Sequence, residues 1–412
     1  MLKNYFKIAI AVLRRRKFFT FISLFGISFT LTILIVLTAG LDHVTSTGYP
    51  EVNRNRSLYV TFLKQQNSKE HGQMQGPMSF YFLNHYAGSL KTPEKVAIHS
   101  LFTPTNTYIR NKKLVVDVKY TNEAYWDVLK YNFTEGKPYN QQQINNSEKV
   151  AVISEDIKRQ YFGEDGPVVG KYIETDNIQY RVIGVVKNVP ITLPYSYANM
   201  YLPYTVNKVD YREKSYMGNY MGILLAKSEG DLPKIKEEFY SMASKIPVEN
   251  KEFDKLILDA DQYLDSFTRI FFGNDSNTGR TTFIITLSIL AILLMLLPTI
   301  NLININISRI MERSSEIGVR KAFGASSQTL IVQFIVENII LTFLGGIIGV
   351  LLSAIIIYFI NNSDMIPNAE LSVNLTVLFY SVLACIVFGL FSGVYPAWRM
   401  SKMQVVNALK AQ

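Results

Sequence analysis

The chain has 412 residues, an apolar fraction of 48%, a formal net charge of +9 and one cysteine. The single cysteine excludes an intrachain disulfide, so any domain must be stabilised by its own hydrophobic core. The excess of basic over acidic residues does not predict nucleic-acid binding. Lysines and arginines gather beside the apolar segments and are not interleaved with aromatic residues elsewhere.

Four long apolar segments predict four transmembrane helices. Each exceeds the ~20 residues that a helix needs to cross a ~30 Å hydrocarbon core. We interpret the first segment as an uncleaved anchor, because its apolar run is about twice as long as that of a signal peptide. The predicted spans one to four are residues 18–41, 281–308, 327–361 and 372–397.

The distribution of basic residues predicts the topology. Lysines and arginines precede span one, fill the loop between spans two and three, and follow span four in the tail 398–412. The short loop 362–371 between spans three and four carries none. Both termini are therefore expected in the cytoplasm, and residues 42–280 outside it. Residues 1–17 predict an amphipathic cytoplasmic helix that lies along the inner membrane surface.

Patterns in residues 42–280 predict a large α+β domain with a terminal stalk. Ser57 to Phe62 and Lys113 to Tyr120 alternate apolar and polar residues, as half-buried strands do. Val150 to Ser154 predicts a buried strand, followed by a helix that Ser154 caps. Lys171 to Val189 predicts a hairpin, whereas the polar stretch Gln65 to Pro77 is expected to be a loop.

The end of this domain continues the mixed pattern. Asp231 to Lys245 predicts a helix, Lys255 to Leu258 a strand, and Tyr263 to Phe272 an aromatic helix that forms the stalk.

No constellation of residues predicts a catalytic or metal site. Asp259 and Asp261 are expected in a solvated turn rather than as a catalytic pair. The chain contains no Gly-x4-Gly-Lys-Ser/Thr phosphate loop, so hydrolysis of ATP by that route is not expected of it. Four histidines are scattered in polar sequence and are expected at the surface: His43, His71, His85 and His99.

Polar residues inside the predicted spans indicate contacts between helices. Glu337 in span three needs a partner, and Asn301 or Asn304 of span two lies at a suitable depth. Two interpretations of Glu337 remain open, an ion relay and a structural hydrogen bond. The second is favoured, because a single isolated acid does not make a proton pathway.

Two Gly-x3-Gly pairs predict that backbones of neighbouring spans approach closely. The remaining residues of the spans are apolar and unsuited to a hydrophilic pore. The pairs are Gly345 with Gly349 in span three, and Gly389 with Gly393 in span four.

The charged segment 309–326 between spans two and three has the pattern of a helix. Glu316 and Arg320 have the favourable i,i+4 order, and Gly324 suits a left-handed cap. Ser326 or Ser327 then caps span three. An ordinary solvated hairpin is the alternative, but the segment is longer than a connection needs and carries apolar residues to bury.

Particular motifs of this sequence resemble a known family. "ERSSEIGVRKAFGAS", followed by "QFIVE" and "GGIIG", resembles the signature of the FtsX-like permease domain, and "GLFSGVYPAWRMSKMQVVNALK" resembles its closing pattern. "VAVISEDIKRQYFGEDGPVVGKYI" and "YRVIGVVKNVP" resemble the periplasmic core domain of MacB-type permeases.

The resemblance implies a membrane subunit of a type VII ABC transporter in the bacterial inner membrane. Such a subunit has four spans, an α+β extracytoplasmic domain inserted between spans one and two, and a dimeric state formed with itself or a homologous permease. It works by mechanotransmission, in which a separate ATPase subunit binds ATP and Mg²⁺ and drives motion outside the membrane. Motif match assigns ATPase coupling to Glu312, Arg313, Glu316, Ile317, Gly318, Arg320, Lys321 and Gly324.

The function implied is export of macrolide-like drugs, peptides or other periplasmic substrates, with a periplasmic adaptor and an outer-membrane channel as further partners. This chain itself is expected to be non-catalytic and to hold no cofactor or metal. Two alternatives use the same architecture. One is a lipoprotein-release permease, and the other is FtsX-like signalling across the membrane to cell-wall hydrolases.

Overall fold

The computed structural model divides the chain into two compact units. Residues Met1–His43, Ile284–Met365 and Glu370–Gln412 form the first, termed the membrane unit, and Val44–Phe283 with Ile366–Ala369 form the second, termed the outer domain. The structure describes residues 10–11, 13–15, 17–69, 72–109, 112–164, 166–248, 250, 252–273, 277–311, 319, 323, 326–363, 366–368, 370–373, 375–376, 378–380, 382–383, 386–387 and 390.

The helices and strands are numbered in chain order. The helices are α1 Lys17–Thr45, α2 Phe80–His85, α3 Ala124–Val128, α4 Gln141–Asn145, α5 Glu155–Ile157, α6 Leu232–Ala243, α7 Tyr263–Phe272, α8 Arg280–Met311 and α9 Ser327–Asn361. The strands are β1 Ser57–Val60, β2 Leu63–Gln66, β3 Gln73–Gly76, β4 Lys95–Ser100, β5 Thr103–Ile109, β6 Lys112–Thr121, β7 Phe133–Gly136, β8 Val150–Ser154, β9 Tyr172–Thr175, β10 Ile178–Val186, β11 Met200–Pro203, β12 Tyr220–Leu225 and β13 Lys255–Leu258.

Long apolar helices characterise the membrane unit. Within the described residues, α1 and the Ile335–Asn361 part of α9 are long and apolar enough to cross a membrane, and Arg280–Leu296 of α8 is a shorter apolar stretch. Ser326 caps the N-terminus of α9, because its side-chain oxygen accepts a hydrogen bond from the Thr329 backbone N–H at 3.2 Å. Much of predicted span four falls outside the described residues, so the four-span count stays a prediction.

A ten-stranded mixed sheet organises the outer domain. Its main order is β1-β12-β4-β6-β11-β8-β10-β7, with β5 paired to β6 and β9 paired to β10. Strand β8 is apolar and entirely buried, and it pairs in parallel with β10 and antiparallel with β11. Its near-continuous apolar sequence therefore reflects a central strand that is covered on both faces.

Alternation along the strands divides the core between the two faces of the sheet. Tyr59 of β1 points into a layer rich in tyrosines, whereas its neighbours Leu58 and Val60 point into a cluster that includes Phe239 of α6. We term these the tyrosine layer and cluster A. Ile153 of β8 belongs to a third group, cluster B, on the same face as cluster A.

Local turn chemistry agrees with the predicted hairpin. Strands β9 and β10 pair antiparallel around Asp176 and Asn177, which have φ values of 51° and 61°. Asparagine and aspartate tolerate this left-handed conformation better than other non-glycine residues, and two such positions make a tight hairpin turn.

Two expectations for the start of the outer domain are wrong. Strand β1 is buried along its whole length rather than on one face, because β12 flanks it and both faces are covered. The polar stretch Gln65 to Pro77 is not a loop. It contains the end of β2 and all of β3, which form a three-stranded sheet with β13 in the order β13-β2-β3.

Candidate functional site

Helices α1 and α9 of the membrane unit approach each other at glycines. A Cβ atom added to Gly345 would lie 2.7 Å from Ile27 Cγ2, and one added to Gly349 would lie 2.9 Å from the Ser28 carbonyl oxygen. Both distances are shorter than side chains tolerate. The predicted Gly-x3-Gly face of α9 is therefore filled by the backbone and side chains of α1, as in small-residue contacts between membrane helices.

A hydrogen bond joins the two helices at the same place. The Thr32 hydroxyl donates to the Ser28 carbonyl at 2.7 Å and to the Gly349 carbonyl at 3.1 Å. The contact face of α1 continues through Ile27, Leu31 and Ile35, which are buried at four-residue spacing. The helices are thus in contact over several turns through packing and a shared polar group.

The other side of α1 carries an exposed aromatic stripe. Phe21, Phe25 and Phe29 are each more than half exposed, and their rings stack in sequence at centroid distances of 6.3 Å and 5.7 Å. An exposed apolar face of this kind suits the hydrocarbon core of a membrane.

Glu337 lies buried on α9 with a partner from its own helix. The Gln333 Nε2 atom donates to the Glu337 Oε1 atom at 3.2 Å, and Glu337 is 1% exposed. This geometry favours the structural hydrogen bond over an ion relay. Asn304 of α8 is exposed, and the Asn301 side chain falls outside the described part, so pairing with these asparagines stays a prediction.

The residues assigned to ATPase coupling lie outside the described residues, as do Gly389 and Gly393. Of the charged segment, the structure describes residues 309–311 at the end of α8, Val319, Phe323 and Ser326. The Phe323 backbone N–H donates to the Val319 carbonyl at 3.0 Å, which is the spacing of a helical turn. Their side chains are 89% and 47% exposed respectively, so this segment presents apolar surface.

In the outer domain, a buried ion pair lies just after α1 in sequence. The Glu51 Oε2 atom is 3.0 Å from both the Nε and Nη2 atoms of Arg54, and both side chains are almost fully buried. The guanidinium group lies 3.7 Å from the ring centroid of Tyr263 and also donates to the Val44 carbonyl. The Ser196 hydroxyl donates to the other Glu51 oxygen at 2.7 Å.

Lys119 and His99 lie in the same buried region. The Lys119 ammonium donates to the carbonyls of Pro194 and Tyr195 at 2.9 and 2.8 Å. Burial lowers the pKa of Lys119 to about 7, although Glu51 opposes the shift. Burial, with a smaller effect of the Lys119 charge, lowers the pKa of His99 to about 3, so the imidazole is neutral at physiological pH.

Three of the polar residues noted in the sequence are not where they were expected. His99 is fully buried, because its ring packs against Tyr125 and Tyr195 of the tyrosine layer on one face of the sheet. Asp261 is also buried, and its Oδ2 atom pairs with the Arg269 Nε atom at 2.6 Å. Asp259 shares the same arginine at 3.2 Å, so these carboxylates belong to an ion-pair network and not to a solvated turn.

The described ranges of the chain contain no candidate metal centre. Across these ranges, no group of three histidine, cysteine, aspartate or glutamate side chains is arranged to hold a metal ion. Many of the buried polar groups bond to carbonyls, to tyrosine hydroxyls or to each other, whereas the His99 Nε2, Trp126 Nε1 and Tyr263 hydroxyl atoms have no hydrogen-bond partner among the described residues. This arrangement stabilises one conformation of the outer domain, and the apolar helix contact does the same for the membrane unit.

These features define a class, a membrane protein with a large α+β domain outside the membrane. The model of the MacB-like periplasmic core domain matches residues 20–239, and that of the FtsX-like permease C-terminal matches residues 288–405. The first match covers more than half of the chain. The chain therefore belongs to the FtsX/MacB-type ABC permeases, as the sequence motifs predicted.

Curated relatives agree with this placement. The macrolide export ATP-binding/permease protein MacB of Escherichia coli K12 is 26% identical over 288 residues, which are 69% of this chain and 42% of the relative. The corresponding protein of Shigella flexneri has the same identity and coverage. The chain thus spans less than half the length of these relatives.

Solved structures give weaker similarity. The periplasmic region of MacB from Actinobacillus actinomycetemcomitans covers 50% of this chain and 88% of its own length, with 18% identity and a TM-score of 0.35. A domain of a putative permease protein from Porphyromonas gingivalis covers 52% and 92%, with 15% identity and a TM-score of 0.41.

Proposed function

We propose that this chain is the permease subunit of an ABC transporter that works by mechanotransmission. A separate ATPase subunit binds the cytoplasmic segment 309–326, and its ATP cycle moves the outer domain to export substrates from the outer side of the membrane. Four spans, both termini in the cytoplasm and a location in the bacterial inner membrane belong to this proposal. So do a dimeric state, a periplasmic adaptor and an outer-membrane channel.

The observation that carries the proposal is the character of the segment between α8 and α9. It lies within the region that the FtsX-like permease model matches, and it bears the charged motif together with exposed Phe323. A large apolar side chain that is 89% exposed beside a helix-patterned charged stretch suits a groove on a partner protein.

The membrane unit supports force transmission rather than a pore. Helices α1 and α9 pack directly through Gly345 and Gly349, and their exposed surfaces are apolar. The described surfaces of these two helices offer no polar path for a substrate. A tightly packed helix pair is instead a stiff element that can transmit movement along its length.

The proposal of a separate motor is supported by the sequence motifs. The sequence contains no phosphate-loop motif, whereas the similar proteins are named as ATP-binding and permease proteins in one. Within this proposal, a separate ATPase chain holds ATP and Mg²⁺ and hydrolyses the ATP.

Affinity purification of the full-length chain from its native membranes tests the association. We expect an ABC ATPase to copurify, and we expect Glu316→Lys or Phe323→Asp to reduce its recovery at least tenfold. Glu237→Gln on the outer domain serves as the control and leaves recovery unchanged. An ATPase recovered equally with all variants, or with none, contradicts the proposal.

A deletion strain separates the export function from its alternatives. Increased sensitivity to amphipathic drugs supports export, and mislocalised lipoproteins indicate a lipoprotein-release permease. Unchanged phenotypes on both counts, with altered cell-wall hydrolase activity, indicate transmembrane signalling.

A further inference from the structure

An open cleft in the outer domain has the size and lining of a small-molecule site. It lies where cluster A and cluster B adjoin on one face of the large sheet, and its volume is about 410 Å³. Val118 and Leu202 line it from cluster B, whereas Phe80 and Tyr220 line it from cluster A. Sites for drug-sized ligands are typically about 300–1,000 Å³ and mostly apolar, with a few placed polar groups.

Aromatic rings form one wall of the cleft. The Phe80 ring stacks on Tyr204 at 3.6 Å and meets Tyr220 and Tyr211 edge-on at 5.5 and 6.0 Å. The Tyr220 hydroxyl accepts a hydrogen bond from the Asn207 Nδ2 atom at 2.8 Å, which fixes the rim beside the rings. These contacts order the wall before any ligand arrives.

The charge of the lining is negative, although the whole chain is basic. The lining contains three carboxylates and one ammonium group. The Lys208 ammonium pairs with Asp176 at 3.0 Å, so these two charges offset each other. In the described parts of the chain, no basic side chain forms an ion pair with Asp210 or Glu213. The Asp210 Oδ1 atom accepts a hydrogen bond from the Arg212 backbone N–H at 3.0 Å, and the Arg212 guanidinium lies 4.9 Å from the Tyr211 ring centroid. The Asp210 Oδ2 atom and the Glu213 carboxylate are thus the acidic groups available at the mouth of an aromatic cleft.

We propose that this cleft binds an amphipathic organic cation, a molecule with one positive charge beside an aromatic or bulky apolar body. Apolar area and aromatic faces attract the body, and ring faces also attract a cation. Asp210 and Glu213 add Coulomb attraction at the rim. An organic anion of the same shape meets both carboxylates and is excluded.

The site extends the proposed function without depending on it. Its use as a cargo site rests on the permease function, whereas binding itself requires this chain alone. A failed binding test leaves ATPase recovery untouched, and a failed ATPase recovery leaves binding untouched.

Equilibrium dialysis of the full-length chain in nanodiscs of zwitterionic lipid tests the proposal. Tetraphenylphosphonium is the probe, and tetraphenylborate has nearly the same shape with the opposite charge. Binding to empty nanodiscs is subtracted from each. We expect saturable binding of one phosphonium per chain and no saturable binding of the borate.

Substitutions then locate the site. Asp210→Asn with Glu213→Gln removes charge from an exposed loop and is expected to weaken phosphonium binding about tenfold. Glu229→Gln with Glu237→Gln is the matched control on exposed residues away from the cleft, and it leaves affinity unchanged. Asn106→Trp on exposed β5 fills the cleft and is expected to abolish saturable binding.

Three results would overturn the proposal of a cation site. Absence of saturable phosphonium binding, or affinity that is unchanged by both cleft variants, overturns the proposal. Equal saturable binding of phosphonium and borate shows an apolar groove without charge selection, and this also overturns it.

Discussion

The membrane unit and the outer domain are stabilised by opposite means. The contact of α1 with α9 depends on the absence of side chains at Gly345 and Gly349. The outer domain instead buries large tyrosines together with a paired Glu51 and Arg54. In lipid, burial of apolar surface gives no driving force, so close packing must stabilise the helices. In water, the hydrophobic effect is large enough to offset the cost of burying charges.

This difference predicts which substitutions damage which unit. Added volume should harm the membrane unit, whereas a lost charge partner should harm the outer domain.

The largest expected effect comes from Arg54→Met. It leaves the Glu51 carboxylate buried without its cation, which costs roughly 3–5 kcal/mol of unfolding free energy. Lys95→Met is the control, because the Lys95–Asp127 pair is about half exposed and such pairs contribute about 0–1 kcal/mol. Thermal unfolding of the full-length chain in nanodiscs measures both. Equal destabilisation by the two variants would contradict the claim that the buried Glu51–Arg54 pair contributes more to stability than an exposed pair.

The second effect comes from added volume in α9. Gly345→Val places a Cβ atom 2.7 Å from Ile27 Cγ2, so the helices must separate, at a cost of roughly 1–3 kcal/mol. Gly346→Val is the neighbouring control, because its Cβ atom meets Leu31 Cδ2 at an ordinary 4.0 Å. Loss of helical signal during titration with a denaturing detergent compares them. A Gly346 variant as unstable as the Gly345 variant would contradict close packing.

The third prediction concerns pH and the outer domain. Lys119 has a folded pKa of about 7 and an unfolded value of 10.5, so the unfolded chain binds an extra proton between these values. Stability therefore rises with pH in this window, by about 1.4 kcal/mol per pH unit from this group. Melting temperatures between pH 7 and 9 should show the rise, and Lys119→Met should flatten it. An unchanged slope in the variant would assign the dependence to another group.

Local features of the fold were predictable from the sequence. Asp176 and Asn177 gave the turn of the β9–β10 hairpin, and Ser154 caps the helix after β8, because these signals depend on neighbouring residues alone. The Gly-x3-Gly face of α9 was also visible. The helix that packs against this face was not predictable, since the sequence does not say which helix contacts Gly345 and Gly349.

Long-range pairing determined what the sequence did not reveal. The stretch Gln65 to Pro77 is polar, and its strands form because β13, far away in the chain, pairs with β2. His99 and Asp261 look like surface residues in their own neighbourhoods. Their burial depends on distant segments, because His99 packs against Tyr195 and Asp261 forms a backbone bridge with Tyr59 of β1.

Mechanotransmission through the segment 309–326 is tested most directly by measuring motion of the outer domain that ATP drives. A fluorophore is attached at Asn106→Cys after the single native cysteine is replaced by Cys385→Ser, and the labelled chain is reconstituted with its ATPase in nanodiscs. We expect a fluorescence change with ATP and vanadate that Gly324→Pro abolishes while nucleotide still binds. An equal change in the Gly324→Pro variant, or no change in the parent, would contradict mechanotransmission through this segment.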